Sequence, residues 1–330
     1  MKLKKVYLAV IVAVFVAGIT CSAIAEENNK IDLKLKLQTG QKFKTTITTE
    51  QQMQQNIQGR AMDVNTVQTM EMFSEVLEID SNNIAKIKMT YGDMKMKMVS
   101  PQQGSFEYDS ANPDPNATAG NPQLELMQSM WTSLKGISIT MNVDSQGKAK
   151  GYEGFEEMLD AMTAKMTEKD PNAGAMTKEL LKNFCNEDSM ENTNNGMYGY
   201  FPDGPVAVGD MWDSITSLGA NNFPIDIDVT CILKDVNDGI ATIDTMAKID
   251  MGTGEGKVIE QNGMKMNMLM TGVMNGYNKI DTKTGWLIES EVKHSMNGSM
   301  KMDPMPQMPE GMTIPMKIEG TTKVKSEPII

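Results

Sequence analysis

The chain has 330 residues and a net charge of −12, and 33 of its residues are methionine. This acidic balance repels nucleic-acid phosphates and anionic membrane surfaces, so we expect neither as a partner. Aromatic residues make up only 5% of the chain, so methionine is expected to supply much of the apolar volume of a core.

Residues 1–25 have the pattern of an export signal. Three lysines precede an apolar stretch over residues 6–19, and residues 23–25 read Ala-Ile-Ala, which fits a cleavage site. We therefore expect a mature periplasmic or extracellular chain that starts at Glu26 and contains no later transmembrane segment. A lipoprotein anchored through Cys21 is the alternative, although the preceding residues fit a lipobox poorly.

Methionine recurs at alternate positions, which predicts β-strands. Met94, Met96 and Met98 are spaced by two, and the same spacing runs from Met264 to Met270. Residues i and i+2 of a strand share one face, and the residues between these methionines are mostly polar. The pattern predicts strands that carry a thioether stripe on one buried face.

Residues 151–197 show a different periodicity, which is typical of helices. Apolar residues recur at helical spacing in two groups, and Asp170 and Pro171 separate the groups. The groups are Phe155, Met158, Leu159 and Met162, followed by Leu180, Leu181 and Phe184. We predict a helical insert of two helices.

Short segments of the β region before this insert recur in the same order after it. The pairs are Gly40–Phe43 with Gly209–Trp212, Leu77–Ile87 with Leu233–Ile243, and Val143–Gly147 with Ile280–Gly285. We therefore predict a mainly β fold made of two related antiparallel curved-sheet units, residues 26–150 and 198–330, with the helical insert between them.

The stretch from Pro205 to Trp212 has the pattern Pro-Val-x-x-Gly-Asp-x-Trp. Together with a Gly-x-x-aromatic turn ending at Phe43 and an Asp-x-x-x-Gly hairpin from Asp281 to Gly285, it resembles a family of uncharacterised bacterial exported proteins, a domain of unknown function. The resemblance covers most of residues 31–325. It implies an envelope location and a β-rich fold, and it brings no activity.

Two cysteines follow the predicted cleavage site, Cys185 and Cys231. An exported chain with two cysteines can form one disulfide, and this is the interpretation that we favour. The alternative is a pair of separate thiols, with Cys231 acting as a small core residue of a strand.

The best candidate metal ligands lie near His294, the only histidine of the chain. With Met296, Met300 and Met302 it forms a soft set of the kind that binds Cu(I). The alternative is that these methionines fill the hydrophobic core. We favour it because methionine is spread along the chain. A curved sheet lined with methionine also suits an adaptable apolar pocket.

Motifs of enzymes are missing from the sequence. It contains neither His-Glu-x-x-His nor Gly-x-Ser-x-Gly. We predict a non-enzymatic envelope protein of binding or scaffolding type, without a cofactor, whose partner is an apolar ligand or an envelope protein. The alternative function is Cu(I) binding or sequestration through the methionines.

Overall fold

A computed structural model of the chain describes most of residues 30–330 and none of the predicted signal. The described ranges are 30–57, 59–101, 104–114, 131–169, 200–218, 225–250, 257–261, 264–304 and 311–330, with isolated positions between 125 and 182.

Thirteen strands in the described part of the chain form one antiparallel sheet, which confirms the mainly β prediction. The strands are β1 Lys42–Ile57, β2 Arg60–Ile79, β3 Ala85–Ser100, β4 Gly104–Asp109, β5 Ser138–Val143, β6 Ala149–Glu153, β7 Met211–Leu218, β8 Ile225–Asn237, β9 Ile240–Asp250, β10 Lys257–Gln261, β11 Met264–Asp281, β12 Leu287–Met302 and β13 Met312–Pro328. Their spatial order is β6-β5-β3-β2-β1-β13-β12-β11-β9-β8-β7, with β4 beside β3 and β10 beside β11.

The helix α1 spans Phe155–Lys169, and its first turn contains two acidic residues that suit the positive end of the helix dipole. Its apolar side, which includes Met158 and Leu159, packs with Met94 of β3 and Ile139 of β5. A helical turn at residues 131–134 joins the same cluster. The first residues of the predicted helical insert, 151–153, belong instead to β6, and much of the insert after α1 lies outside the described residues.

The sheet has one apolar face and one solvated face, as alternation along its strands dictates. We call the apolar side of five neighbouring strands the inner face. It comprises the even-numbered residues 62–74 of β2, 268–278 of β11, 290–302 of β12 and 312–328 of β13, and the odd-numbered residues 43–57 of β1. The opposite, outer face carries cross-strand ion pairs such as Lys44–Glu71, at 2.7 Å.

The sheet curls at the end that residues 31–37 cross. The amide of Leu35 donates a hydrogen bond to the carbonyl of Ser145, and the amide of Lys36 donates one to the carbonyl of Thr284, each at 2.8 Å. Ser145 follows β5 and Thr284 follows β11, and five other strands separate these two in the sheet. A flat sheet would hold β5 and β11 about 29 Å apart at ~4.8 Å per strand, so contact with two adjacent residues requires strong curvature.

A core fills the concave side at this curled end. Leu33, Leu35 and Leu37 are buried there with residues of both halves of the sheet. Phe43 stacks on Trp286 with ring centroids 4.1 Å apart, and the indole N–H of Trp286 donates a 2.7 Å hydrogen bond to Ser326 Oγ. The residues that cross the end of the sheet therefore seal it on its concave side.

Cys231 belongs to the same core and is a free thiol with 0% exposure. The predicted disulfide is therefore wrong, and Cys231 is instead the small core residue of a strand that the alternative describes. Burial raises the pKa of its thiol to about 12, so the thiol stays protonated and unreactive at neutral pH. Cys185 lies outside the described residues.

Candidate functional site

Methionines dominate a second part of the inner face, beyond the sealed end. We call this part, with its apolar neighbours, the methionine face. It comprises Met53 and Ile57 of β1, Met312, Ile314, Met316 and Ile318 of β13, Met296, Met300 and Met302 of β12, Met268, Met270 and Met274 of β11, and apolar residues of β8 and β9.

Strand register brings these thioethers together. Met300 of β12 pairs with Met268 of β11 on one side and with Ile314 of β13 on the other. Side chains of directly paired residues have Cβ atoms about 4.5–5.5 Å apart, close enough for unbranched methionine side chains to interdigitate. Met270 is almost fully buried in this layer, and the other methionines of β11 and β12 whose burial is described are partly exposed.

The methionine face differs from the apolar cluster of the β2–β5 region in what covers it. There, Phe155 and Leu159 of α1 and Leu134 of the helical turn pack on the sheet. In the described part of the chain, every member of the methionine face belongs to a sheet strand. The methionine face therefore lies on the concave side of the sheet, and its members range from buried, such as Met270 and Ile314, to partly exposed, such as Met296 and Met300.

Charged side chains are missing from the inner face within the strand ranges that define it. Its positions hold apolar residues, glycine, proline, serine, threonine, asparagine, glutamine and His294. The lysines, aspartates and glutamates of the same ranges face outward. Since an unpaired charge is costly to bury, this face suits uncharged ligands.

His294 lies on the inner face of β12, at one border of the methionine face. It pairs with Met274 of β11 and with Gly320 of β13. A Cβ atom on Gly320 would lie 2.7 Å from Cε1 of His294, so the imidazole ring lies over this glycine. Burial lowers the pKa of the imidazole, which keeps the ring neutral at neutral pH.

The predicted copper ligands lie on one face of the sheet, but they are too far apart to bind a single ion together. Met296, Met300 and Met302 point to the same side of β12 as His294. At about 3.3 Å per residue, the Cα atoms of Met300 and Met302 lie about 20 and 26 Å from that of His294. One ion can therefore contact His294 and Met296 but not the whole set. Met274, directly opposite His294, is the neighbour that the sequence analysis missed, because only the register reveals it.

Other groups suited to hard metal ions are missing from the described residues. No cluster of three or more His, Cys, Asp or Glu side chains lies in a position to hold an ion there. Likewise, none of the described helices has the length and apolar character needed to span a membrane.

These features define a mainly β protein built on one large antiparallel sheet with a charge-free, methionine-lined inner face. The sequence model of a family of unknown function, DUF6263, matches residues 82–287, and the chain belongs to this family. The resemblance to an uncharacterised family is thereby confirmed. The comparison with curated proteins finds no match.

Several solved structures show distant similarity in shape. A lipovitellin structure titled for its lipid–protein interactions is 9% identical with a TM-score of 0.47, covering 88% of this chain and 25% of its own. The beta domain of the Bordetella autotransporter BrkA is 8% identical with a TM-score of 0.22, covering 88% and 100%. Pseudomonas aeruginosa OccK11 is 7% identical with a TM-score of 0.18, covering 89% and 99%. The chain thus spans a quarter of the lipovitellin chain, and similarities at this level contribute nothing to the functional argument.

Proposed function

We propose that this is an exported, non-enzymatic envelope protein of binding or scaffolding type, whose methionine face holds an apolar ligand. The observation that carries the proposal is a partly exposed apolar face without charged side chains, made in the described residues by strands alone. Covering such a face contributes about 25 cal/mol per Å² of apolar surface removed from water. Methionine side chains adapt their shape to different apolar partners.

The dimensions of the methionine face favour one long acyl chain as the ligand. Its methionines run from Met268 to Met274 on β11 and from Met296 to Met302 on β12. Each stretch is about 20 Å long at ~3.3 Å per residue. The hydrocarbon core of a bilayer is about 30 Å thick and contains two leaflets, so one lipid acyl chain of about 15 Å fits along this stripe.

We further propose that the sheet is an internal duplication, with β1, β2, β3, β5 and β6 equivalent to β7, β8, β9, β11 and β12. The order β6-β5-β3-β2-β1 on one side of β13 repeats as β12-β11-β9-β8-β7 on the other. Irregular pairings also recur at matching places. They are the shifts at Val76/Glu78 and Leu233/Asp235, and those at Asn142/Val143 and Lys279/Ile280.

The turns that begin the two halves support the same duplication. The amide of Gly40 donates to the carbonyl of Val76, and the amide of Gly209 donates to the carbonyl of Leu233, each at 2.8 Å. Under this proposal both halves carry an apolar cluster on the concave side. The first half covers its cluster with α1, and a bound acyl chain covers that of the second half.

Binding of an acyl chain is tested by titrating the exported chain with a fluorescent long-chain acyl probe. We expect saturable binding, which Met300→Glu weakens about tenfold or more because it places a charge among the methionines. Ser299→Glu adds the same charge to the outer face of the same strand and should leave affinity unchanged. Melting curves without ligand confirm that both variants are folded. Absent binding, or equal losses in the two variants, would refute the proposal.

A second candidate function is Cu(I) binding, favoured by one observation. His294 pairs directly with Met274, and Met296 follows on the same face, so one neutral imidazole and two soft thioethers, all suited to copper, are neighbours. Binding here requires the imidazole to turn away from Gly320.

For this candidate we expect the double variant His294→Ala, Met296→Ala to lose stoichiometric Cu(I) binding in an anaerobic titration against a competing chelator. Met246→Ala removes an exposed methionine from the outer face of β9 and serves as the control, with binding retained. Unchanged binding by the double variant would eliminate this site.

A further inference from the structure

A row of uncharged polar residues borders the methionine face. His294 of β12 pairs with Gly320 of β13, Gly320 pairs with Gln51 of β1, and Gln51 pairs with Thr66 of β2. The row therefore crosses four neighbouring strands on the inner face, over about 14 Å at ~4.8 Å per strand. His294 is the inner-face residue of β12 next to Met296. An extended acyl chain that lies along the methionines therefore ends beside the polar row.

From this juxtaposition we infer that the site takes a single-chain amphiphile with an uncharged polar head group. The tail lies along the methionine face, and the head lies at the polar row formed by His294, Gln51 and Thr66. This inference rests on the proposed function, because it specifies which acyl compounds the same face binds.

The side chains of the row can recognise such a head group. A neutral imidazole, a primary amide and a hydroxyl each offer both a donor and an acceptor, which matches hydroxyl and ester groups. Among the described residues, the imidazole of His294 makes no hydrogen bond, so a ligand oxygen can be its partner. Gly320 has no side chain, and the imidazole ring occupies the space above it, which fixes the position of the ring in the row.

A charged head group would lack compensation here. The inner face within the defined strand ranges offers neither a lysine nor an arginine for a carboxylate or phosphate, and neither an aspartate nor a glutamate for an ammonium. Leaving an ion partly desolvated without a partner costs more than hydrogen bonds to neutral groups return.

The test compares ligands that share one acyl length and differ in the head. A palmitoyl monoglyceride, palmitate and a palmityl trimethylammonium salt each displace the fluorescent acyl probe from the exported chain at about pH 8, where palmitate is ionised. We expect the monoglyceride to bind about tenfold or more tightly than either ion. Equal affinities would overturn the inference while leaving acyl binding intact, and absence of displacement by all three would refute both.

A variant that adds a cation to the row sharpens the test. Gln51→Lys places an ammonium beside His294 and should shift the ratio of palmitate to monoglyceride affinity about tenfold toward palmitate. Gln52→Lys adds the same charge to the outer face of β1 and should leave the ratio unchanged. An identical ratio in both variants would overturn the assignment of the head group to this row. If Gln51→Lys does not fold, the comparison of head groups on the unaltered chain decides.

Discussion

Replacement of Met270 by alanine is expected to lower the free energy of unfolding by about 2–5 kcal/mol. Met270 is only 2% exposed and lies within the methionine face, opposite Gly298 of β12. Because a glycine cannot extend into the vacated space, the truncation leaves a cavity as well as removing apolar contacts. Urea unfolding of the chain, followed by two independent spectroscopic probes, measures the loss.

Met246 supplies a matched control for this experiment. It is a methionine of a central strand, β9, but it points to the outer face and is 47% exposed. Met246→Ala should therefore change stability by less than about 0.5 kcal/mol. A loss of that small size at Met270 would contradict the assignment of the thioether stripe to a packed inner face.

The strands were predictable because their signal is local. Alternation at Met94, Met96 and Met98 depends only on the two-residue period of a strand, and β3 carries these side chains on one face. The apolar side of α1 was equally local, since it follows from helical spacing. Which strands lie next to each other could not be predicted in this way. The pairing of β1 with β13 joins the two ends of the described sheet in sequence, and nothing in either segment specifies its partner.

The candidate site shows the same division. Spacing along the chain placed His294 and Met296 on one face of β12, and this follows from alternation alone. Spacing did not reveal Met274 or Gly320, which reach His294 only through the register of three strands. The absence of charged residues from the inner face could be predicted from the sequence, because every second residue from Ser290 to Met302 is uncharged. This alternation indicates a charge-free surface only once the strand register shows that the neighbouring strands repeat it on the same side of the sheet.

The second large effect is expected where residues 31–37 cross the curled end of the sheet, and it is a loss of stability on replacement of Gly285. Gly285 lies in the turn between β11 and β12 with φ +72°, a conformation that favours glycine. A Cβ atom there would overlap the carbonyl oxygen of Lys34 in the crossing segment. Gly285→Ala therefore combines backbone strain with a steric clash against backbone, and we expect it to cost about 3 kcal/mol or more.

Gly209→Ala separates the two contributions. Gly209 has φ +96°, but a Cβ atom on it would meet nothing within 4 Å. This variant should therefore lose only about 1–2 kcal/mol, the cost of a left-handed conformation for a residue with a Cβ atom. Urea unfolding of both variants gives the difference, and hydrogen exchange at the amides of Leu35 and Lys36 should rise only in Gly285→Ala, because only there is the crossing segment displaced. Equal losses and equal exchange would mean that residues 31–37 do not hold the curled end of the sheet. The curvature that makes the methionine face concave would then have to arise from the strands themselves.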